Sequence, residues 1–245
     1  MESKSNVQCE IRLYKPADKD GVISLFRFGM MEHIYPAFFQ AMTNPDHMGV
    51  TLSISMAGYV LGGSSYFMAL LAGGAWAGLV YYCCFEIYDA HLRERLRTVM
   101  ADIPGHFLDR PDSCFWVAEA QVRGRPKVVG MVAVLGRREE KERGDGTNGG
   151  FDEGDGSYAE VIGTVVSFPR RRQGLGLQLA QTALAFCQER GFDRVVLETS
   201  SAQTAALGLY RKLGFEHTFT HANTHAHRWV TRLARLSMMR MEMAL

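Results

Sequence analysis

Hydrophobic and polar positions change rhythm several times along the chain. Glu10-Ile11-Arg12-Leu13-Tyr14 alternates with period two, as a short half-buried strand does. Pro16-Ala17-Asp18 then opens a helical pattern with Val22, Phe26, Met30 and Ile34 on one face. From Met48 to Phe85 the alternation is lost, and no Asp, Glu, Lys or Arg occurs. A bilayer core of ~30 Å is crossed by about 20 helical residues at ~1.5 Å each. Residues 66–85 supply that length, residues 48–61 fall short of it, and Gly62-Gly63-Ser64-Ser65 between them is a turn signal. The pattern predicts one spanning helix at 66–85, or a hairpin that enters and leaves on the same side. A buried helix pair in a soluble protein is disfavoured, because cores rarely need so long an uncharged run. Tyr81 and Tyr82 suit a membrane interface, and Arg93, Arg95 and Arg97 follow, whereas residues 28–47 hold no Lys or Arg. That bias places the C-terminal side in the cytoplasm.

Beyond the uncharged run, residues 87–100 read as a charged helix. Cys114 to Ala120 and Lys127 to Leu135 read as strands joined by the turn Arg123-Gly124-Arg125-Pro126. Residues 139–157 are Gly-rich and charged, hence a solvated loop, and Asp145 to Asp155 does not fit EF-hand spacing. Glu160 to Phe168 is the next strand. A helix from Gly174 to Arg190 buries Leu179, Ala183, Phe186 and Cys187 and stops at Gly191. Val195 to Thr199 is a strand, Gln203 to Leu213 a short helix stopped by Gly214, and the tail from Ser237 alternates as an edge strand would. Strands alternating with helices make this half α/β.

Composition narrows the function classes. The 245 residues are 47% hydrophobic and 22% charged with a net charge of +1, so disorder is excluded and nothing argues for nucleic acid. Cys9, Cys83, Cys84, Cys114 and Cys187 are odd in number and scattered, which gives neither a disulfide framework nor a zinc site. Met1 to Ser5 is polar and lacks the apolar core of a signal peptide. His217, His221, His225 and His227 lack ligand-type companions, so no metal is expected and a loop near an acceptor pocket is favoured.

The chemistry concentrates in a strand-to-helix turn, Phe168-Pro169-Arg170-Arg171-Arg172-Gln173-Gly174-Leu175-Gly176. Glycines here admit a close ligand, the helix N-terminus favours an anion, and the arginines add charged donors. It is neither a dinucleotide fingerprint nor a P-loop. Further on lies Leu209-Tyr210-Arg211-Lys212-Leu213-Gly214-Phe215. Arg171-x-x-Gly174-x-Gly176 resembles the acetyl-CoA pyrophosphate loop of the GNAT N-acetyltransferase superfamily, and the second run resembles its Leu-Tyr-x-x-x-Gly-Phe motif. Gly29 to His33, Ser113 to Glu119 and Val128 to Val132 resemble the membrane-bound camello branch, which includes cysteine S-conjugate and aspartate N-acetyltransferases. Matching features run from about residue 10 onward.

The resemblance implies a GNAT fold, a splayed mixed sheet flanked by helices, with a membrane insertion after the first helix. Residues 1–47 would supply the first strand and helix, 48–85 the membrane segment, and 86–245 the acetyl-CoA-binding core. Val166 and Ser167 would meet the pantetheine arm, and the N–H groups of Arg171, Arg172, Gln173, Gly174, Leu175 and Gly176 the pyrophosphate. Tyr210 would protonate the departing CoA thiolate. Glu119 and Glu160, then Glu198, are candidate bases, and Gln203 stands where an asparagine is common. The implied activity is acetyl transfer from acetyl-CoA to the primary amine of a small amino-acid-like acceptor. Protein lysine is the second choice, and a silent CoA-binding membrane protein the alternative. Arg12, Arg93 or Arg123 would serve an acceptor carboxylate. Residues 10–34 pack on strands that begin near Cys114, so both lie on one side of the membrane and a re-entrant hairpin is preferred. The implied place is the endoplasmic reticulum membrane, with lipid as partner and the catalytic part cytosolic.

Overall fold

A computed structural model describes residues 9–122, 124–137 and 157–245. The expectations for Met1 to Ser5, Arg123 and the charged loop at 139–156 lie outside these residues. The order is β1 (Glu10–Leu13), α1 (Lys19–Met31), α2 (Ile34–Met42), α3 (Pro45–Leu61), α4 (Tyr66–Arg97), β2 (Cys114–Val122), β3 (Arg125–Arg137), β4 (Tyr158–Val166), α5 (Leu175–Glu189), β5 (Arg194–Ser200), α6 (Thr204–Lys212), β6 (Glu216–His221), α7 (Arg228–Ala234) and β7 (Met238–Ala244). The strands form one sheet in the order β1-β2-β3-β4-β5-β7-β6. Among the described residues, only β4 and β5 pair in parallel.

Two apolar layers form because β2 and β3 are hydrophobic on both faces. Cys114, Trp116 and Ala118 of β2 join Leu179, Ala183 and Cys187 of α5 and Leu207 of α6. The intervening Phe115 and Val117 face Val22 and Phe26 of α1 on the other side. A third cluster joins Ala37 and Ala41 of α2, Val80, Cys83, Cys84 and Tyr88 of α4, and Val230 and Ala234 of α7. Cys83 and Cys84 are thus buried.

The apolar run forms an antiparallel helix pair. Gly62 ends α3, and Gly63 and Ser64 turn with φ of 66° and 64° before Ser65 caps α4 through the Met68 N–H. Small residues let the helices approach closely: a Cβ on Gly73 would lie 2.3 Å from Ser55 Oγ. The outer faces stay bare, with Leu52, Val60, Phe67 and Leu70 all more than 60% exposed.

Several boundaries differ from expectation. The apolar run and the charged helix after it are one helix, because no Gly or Pro interrupts the sequence between Gly78 and Arg97. α4 therefore runs across the expected boundary at residue 85. The first helix ends at Glu32, and α2 follows separately after His33. β4 stops at Val166, since Phe168–Arg170 is a 3-10 turn. β7 is not an edge: it lies between β5 and β6 with Met241 fully buried. The edge is β6, exposed and too polar to announce itself as a strand.

α1 lies so close to β4 that a Cβ on Gly29 would sit 2.4 Å from Val165 Cγ1. Gly29→Ala should cost about 1–3 kcal/mol by overpacking, seen as a lower thermal midpoint of the detergent-solubilised protein. Val165→Ala in the same chain should restore most of the loss. An unchanged midpoint for Gly29→Ala would contradict this packing.

Candidate active site

β4 and β5 pair only from Tyr158↔Arg194 to Val161↔Leu197, yet both strands continue. Their separation has a local cause. Against β3, Ala133 faces Ile162 and Met131 faces Val165, so Val132 alone opposes Gly163 and Thr164. Gly163 takes φ of +66°, which glycine adopts without strain. This bulge bends β4 away from β5. Ile162 and Val165 consequently both pack in the α1 layer, whereas Ala159 and Val161 pack against α5 and α6.

A cavity of ≈ 160 Å³ occupies the opening and reaches both faces of the sheet. Its α6 wall holds Tyr210, Ala206 and Gln203, beside Thr164 of the bulge. Its opposite wall holds Met30, His33, Tyr88, His91, Arg95 and Glu160, and its rim Glu198 and Asn223 to His225.

Tyr210 sits on the buried face of α6 and packs edge-on against Phe215 at 5.4 Å. Burial pushes its phenol above the ordinary tyrosine value, partly opposed by the Thr164 hydroxyl. Thr164 Oγ1 is buried and off hydrogen-bonding geometry with its neighbours, an orphaned polar atom among the described residues. Gln203 begins α6; its side-chain oxygen accepts from Thr199 Oγ1 at 2.5 Å and from the Ser200 N–H at 3.3 Å. It therefore closes the turn from β5 to α6.

The candidate carboxylates separate. Glu160 lines the cavity, with Arg95 at 3.8 Å and Arg137 at 3.6 Å. Glu198 lines it one residue past the last β4–β5 pair and lies 3.4 Å from His221. Glu119 is not brought to it. Instead Glu119 accepts from Arg12 at 2.5 Å and 3.1 Å, and Arg12 also grips Asp18, a clamp of β1 onto β2. Arg12 is thereby engaged, and Arg93 pairs with Glu86 and Asp89 on the surface.

Sequence reasoning missed the wall supplied by α4. Tyr88, His91 and Arg95 repeat at intervals of three and four, one helical face, and that spacing was the available signal. Burial pushes His91 down to about 4, aided by Arg95 and His225, so it is neutral at physiological pH. Burial likewise lowers His33. Tyr88 is pushed up to about 12 by burial, and its hydroxyl lies 2.8 Å from Ser200 Oγ.

The glycine turn lies at the open end of the splay. Alternation along β4 turns the Ser167 N–H toward β3, where it donates to Val129 O at 2.8 Å, and turns the backbone groups of Val166 the other way. Val166 O accepts from Arg171 Nε at 2.9 Å, and the same guanidinium pairs with Glu32 at the end of α1. The Arg171 N–H donates to Phe168 O. Ser167 and Arg171 thus spend their N–H groups inside the protein, which leaves Val166 N–H on the open side. Gly174 takes φ of +81° with open space where a Cβ would be. The N–H groups of Gly174, Leu175 and Gly176 open α5 without intrahelical acceptors, after the exposed Arg172 and Gln173. A larger depression of ≈ 590 Å³ adjoins the turn on the α1 side, bordered by Phe28, Lys127, Phe168 and Arg170.

These features fit acetyl-CoA. A divergent strand edge, an orphaned hydroxyl beside a buried phenol and an uncrowded helix N-terminus lie along one path. The model of the acetyltransferase (GNAT) family matches residues 81–215. N-acetyltransferase family 8 member 3 of Mus musculus is 33% identical over 85% of this chain and 84% of its own length. The probable N-acetyltransferase camello of Xenopus tropicalis is 30% identical over 84% and 85%. An acetyltransferase from Streptococcus agalactiae, solved by crystallography, shares the fold with a TM-score of 0.50 at 15% identity, covering 97% of this chain and 98% of that one. With its splayed sheet and glycine turn, the chain belongs to the GNAT family and is an acetyl-CoA-dependent N-acetyltransferase of the kind named camello.

Proposed function

We propose that the protein acetylates the primary amine of a small, carboxylate-bearing, amino-acid-like acceptor while held on the endoplasmic reticulum membrane by the α3–α4 hairpin, catalytic core toward the cytosol. The observation that carries the reaction is the cavity through the sheet, with Tyr210 on one wall and a polar wall of Glu160, His91 and Arg95 on the other. Bound acetyl-CoA supplies a thioester whose acyl carbon the amine attacks. Val166 N–H aligns the pantetheine arm along the open strand edge. The amide groups from Arg172 to Gly176 hold the pyrophosphate, with the α5 dipole adding to the attraction. The polar wall receives the acceptor. Its carboxylate meets Arg95, whose one ion pair among the described residues is the long contact to a Glu160 already shared with Arg137. The surplus ammonium proton leaves through Glu160 or Glu198. Tyr210 gives its phenolic proton to the sulfur as the C–S bond breaks.

The membrane reading rests on the bare hairpin. α4 is one helix long and apolar enough to cross a membrane, and the Gly62–Ser65 turn returns the chain to the side it came from. The core elements on either side of the hairpin belong to one sheet, which supports entry and exit on the same face.

Microsomes carrying the protein, given acetyl-CoA and a panel of amines, should release CoA fastest with small amines that bear a carboxylate. Faster release with lysine peptides would move the acceptor class to protein. No release with any amine despite CoA binding would favour a silent CoA-binding protein. Tyr210→Phe should lower kcat by about 10²–10⁴-fold, the range of a lost general acid, with acetyl-CoA affinity by calorimetry little changed. Unaltered kcat would remove Tyr210 from the proton path.

Glu32→Gln should act differently. It loosens Arg171, so acetyl-CoA binding should weaken by roughly fivefold, the worth of a half-exposed ion pair of about 1 kcal/mol, while kcat at saturation stays near wild type. A loss of kcat at unchanged acetyl-CoA affinity would show that the bridge does not serve the cofactor turn.

A further inference from the structure

Where the uncharged run meets the core, aromatic side chains from three helices gather. Tyr35 and Phe38 of α2 contact Tyr81 of α4, each with ring centroids 5.7 Å apart, and Phe39 packs on Phe38. Tyr35 and Phe39 are more than 60% exposed, and Tyr82 is half exposed. On α7, Trp229 is 55% exposed. α7 is fixed at this level of α4, because its buried Val230 and Ala234 share a cluster with Val80, Cys83 and Cys84.

α7 is amphipathic. Val230, Thr231 and Ala234 are buried, while Arg228, Trp229 and Arg232 are exposed. No ion pair engages Arg228 or Arg232 among the described residues. Arg235, directly after α7, hydrogen-bonds Asn44 at 2.8 Å and pairs with Asp46, tying this helix to the first turn of α3. Residues 222–236 contain three arginines and no Asp or Glu, and α2 contains no charged residue at all. An exposed collar of Tyr, Phe and Trp beside unpaired arginines has the chemistry of a headgroup layer. The aromatic rings take the polar–apolar boundary, and the guanidiniums take lipid phosphates and carboxylates. A partner protein surface is less suited, since the collar is continuous with the bare outer faces of α3 and α4.

We propose that α2 and α7 form a second membrane contact, a collar around the base of the hairpin that seats on anionic phospholipid headgroups through Trp229, Arg228 and Arg232. This rests on the membrane reading of the hairpin. The hairpin provides insertion, and the collar adds lipid selectivity and sets the depth at which the core sits.

The test uses the full chain reconstituted in phosphatidylcholine vesicles with and without phosphatidylserine. Resistance to extraction by alkaline carbonate reports the hairpin alone. If the wild type is extracted, the membrane reading itself fails. Given retention, energy transfer from tryptophan to dansyl-phosphatidylserine should exceed that to dansyl-phosphatidylcholine by several-fold, since arginines near an anionic surface attract its headgroups. Trp229→Phe should remove most of this signal, which separates Trp229 from Trp76 and Trp116. Arg228→Gln with Arg232→Gln should level the two lipids while carbonate resistance and thermal midpoint stay unchanged. Equal transfer to both lipids in the wild type, or iodide quenching of Trp229 that is the same in vesicles and detergent, would overturn the proposal. A preference that survives the double arginine change would also overturn it.

Discussion

The separation of β4 from β5 is the constraint on which the remaining architecture depends. Parallel strands that pair along their whole length leave no room for a ligand. Here the extra residue at Gly163 and Thr164 ends the pairing after Val161, and the sheet opens at its middle. The candidate site is placed by that gap. β4 delivers its free edge and, through Val166, the start of the glycine turn. β5 delivers the Ser200–Gln203 turn, from which α6 carries Tyr210 back over the opening. The gap also needs support, because a sheet cut at its centre loses ladder bonds. Gly29 lets α1 settle on Val165 from one side, while Leu175 and Leu179 pack against Gly130 from the other.

α4 joins two unlike surfaces that sequence separates by only a few residues. Up to Phe85 it is uncharged and largely bare, and from Tyr88 onward its side chains line the cavity. A helix of 32 residues is about 48 Å long, so one helix reaches from the apolar hairpin tip to the wall of the cavity. Any tilt of the hairpin would then move Tyr88, His91 and Arg95 together relative to Glu160.

Much of the fold was legible in the sequence because its signals are local. Glycine stops placed the ends of α5 and α6, and period-two runs placed β2, β3 and β5. The turn at Gly62-Gly63 placed the hairpin. The errors come from tertiary context. Met239, Met241 and Met243 alternate as an edge would, but whether a strand lies outside β7 depends on residues 216–221, whose Glu-His-Thr-Phe-Thr-His carries no hydrophobic period. α7 is only seven residues long and two of them are arginines. At the candidate site, the places of the glycine turn and of Tyr210 were readable, because both are motif positions. Glu119 was a plausible base from its strand alone. Its pairing with Arg12 is a contact across 107 residues, which spacing cannot reveal. Arg95 and His91 were overlooked for the opposite reason, since a charged helix after an apolar run reads as surface.

The proposed proton chemistry gives the two unlike walls a use. A buried phenol keeps its proton, because desolvation disfavours the phenolate. By itself that makes Tyr210 a weaker acid than a thiol in water. The same desolvation acts on a sulfur anion forming beside it, however, and raises its proton affinity in the same direction. On the proposed mechanism the mismatch therefore does not grow with burial, and transfer would depend on how close the sulfur comes to the phenol. A carboxylate needs the reverse environment to accept the amine's proton, one that is partly wet and flanked by cations that are not bound to it too firmly. Glu160 has that setting on the α4 side, with long contacts to Arg95 and Arg137 and partial exposure. Moving both groups to one face would force one environment on an acid and a base at once. A sheet that opens in the middle keeps Tyr210 and Glu160 on opposite walls of one cavity, as the proposed acid and base require.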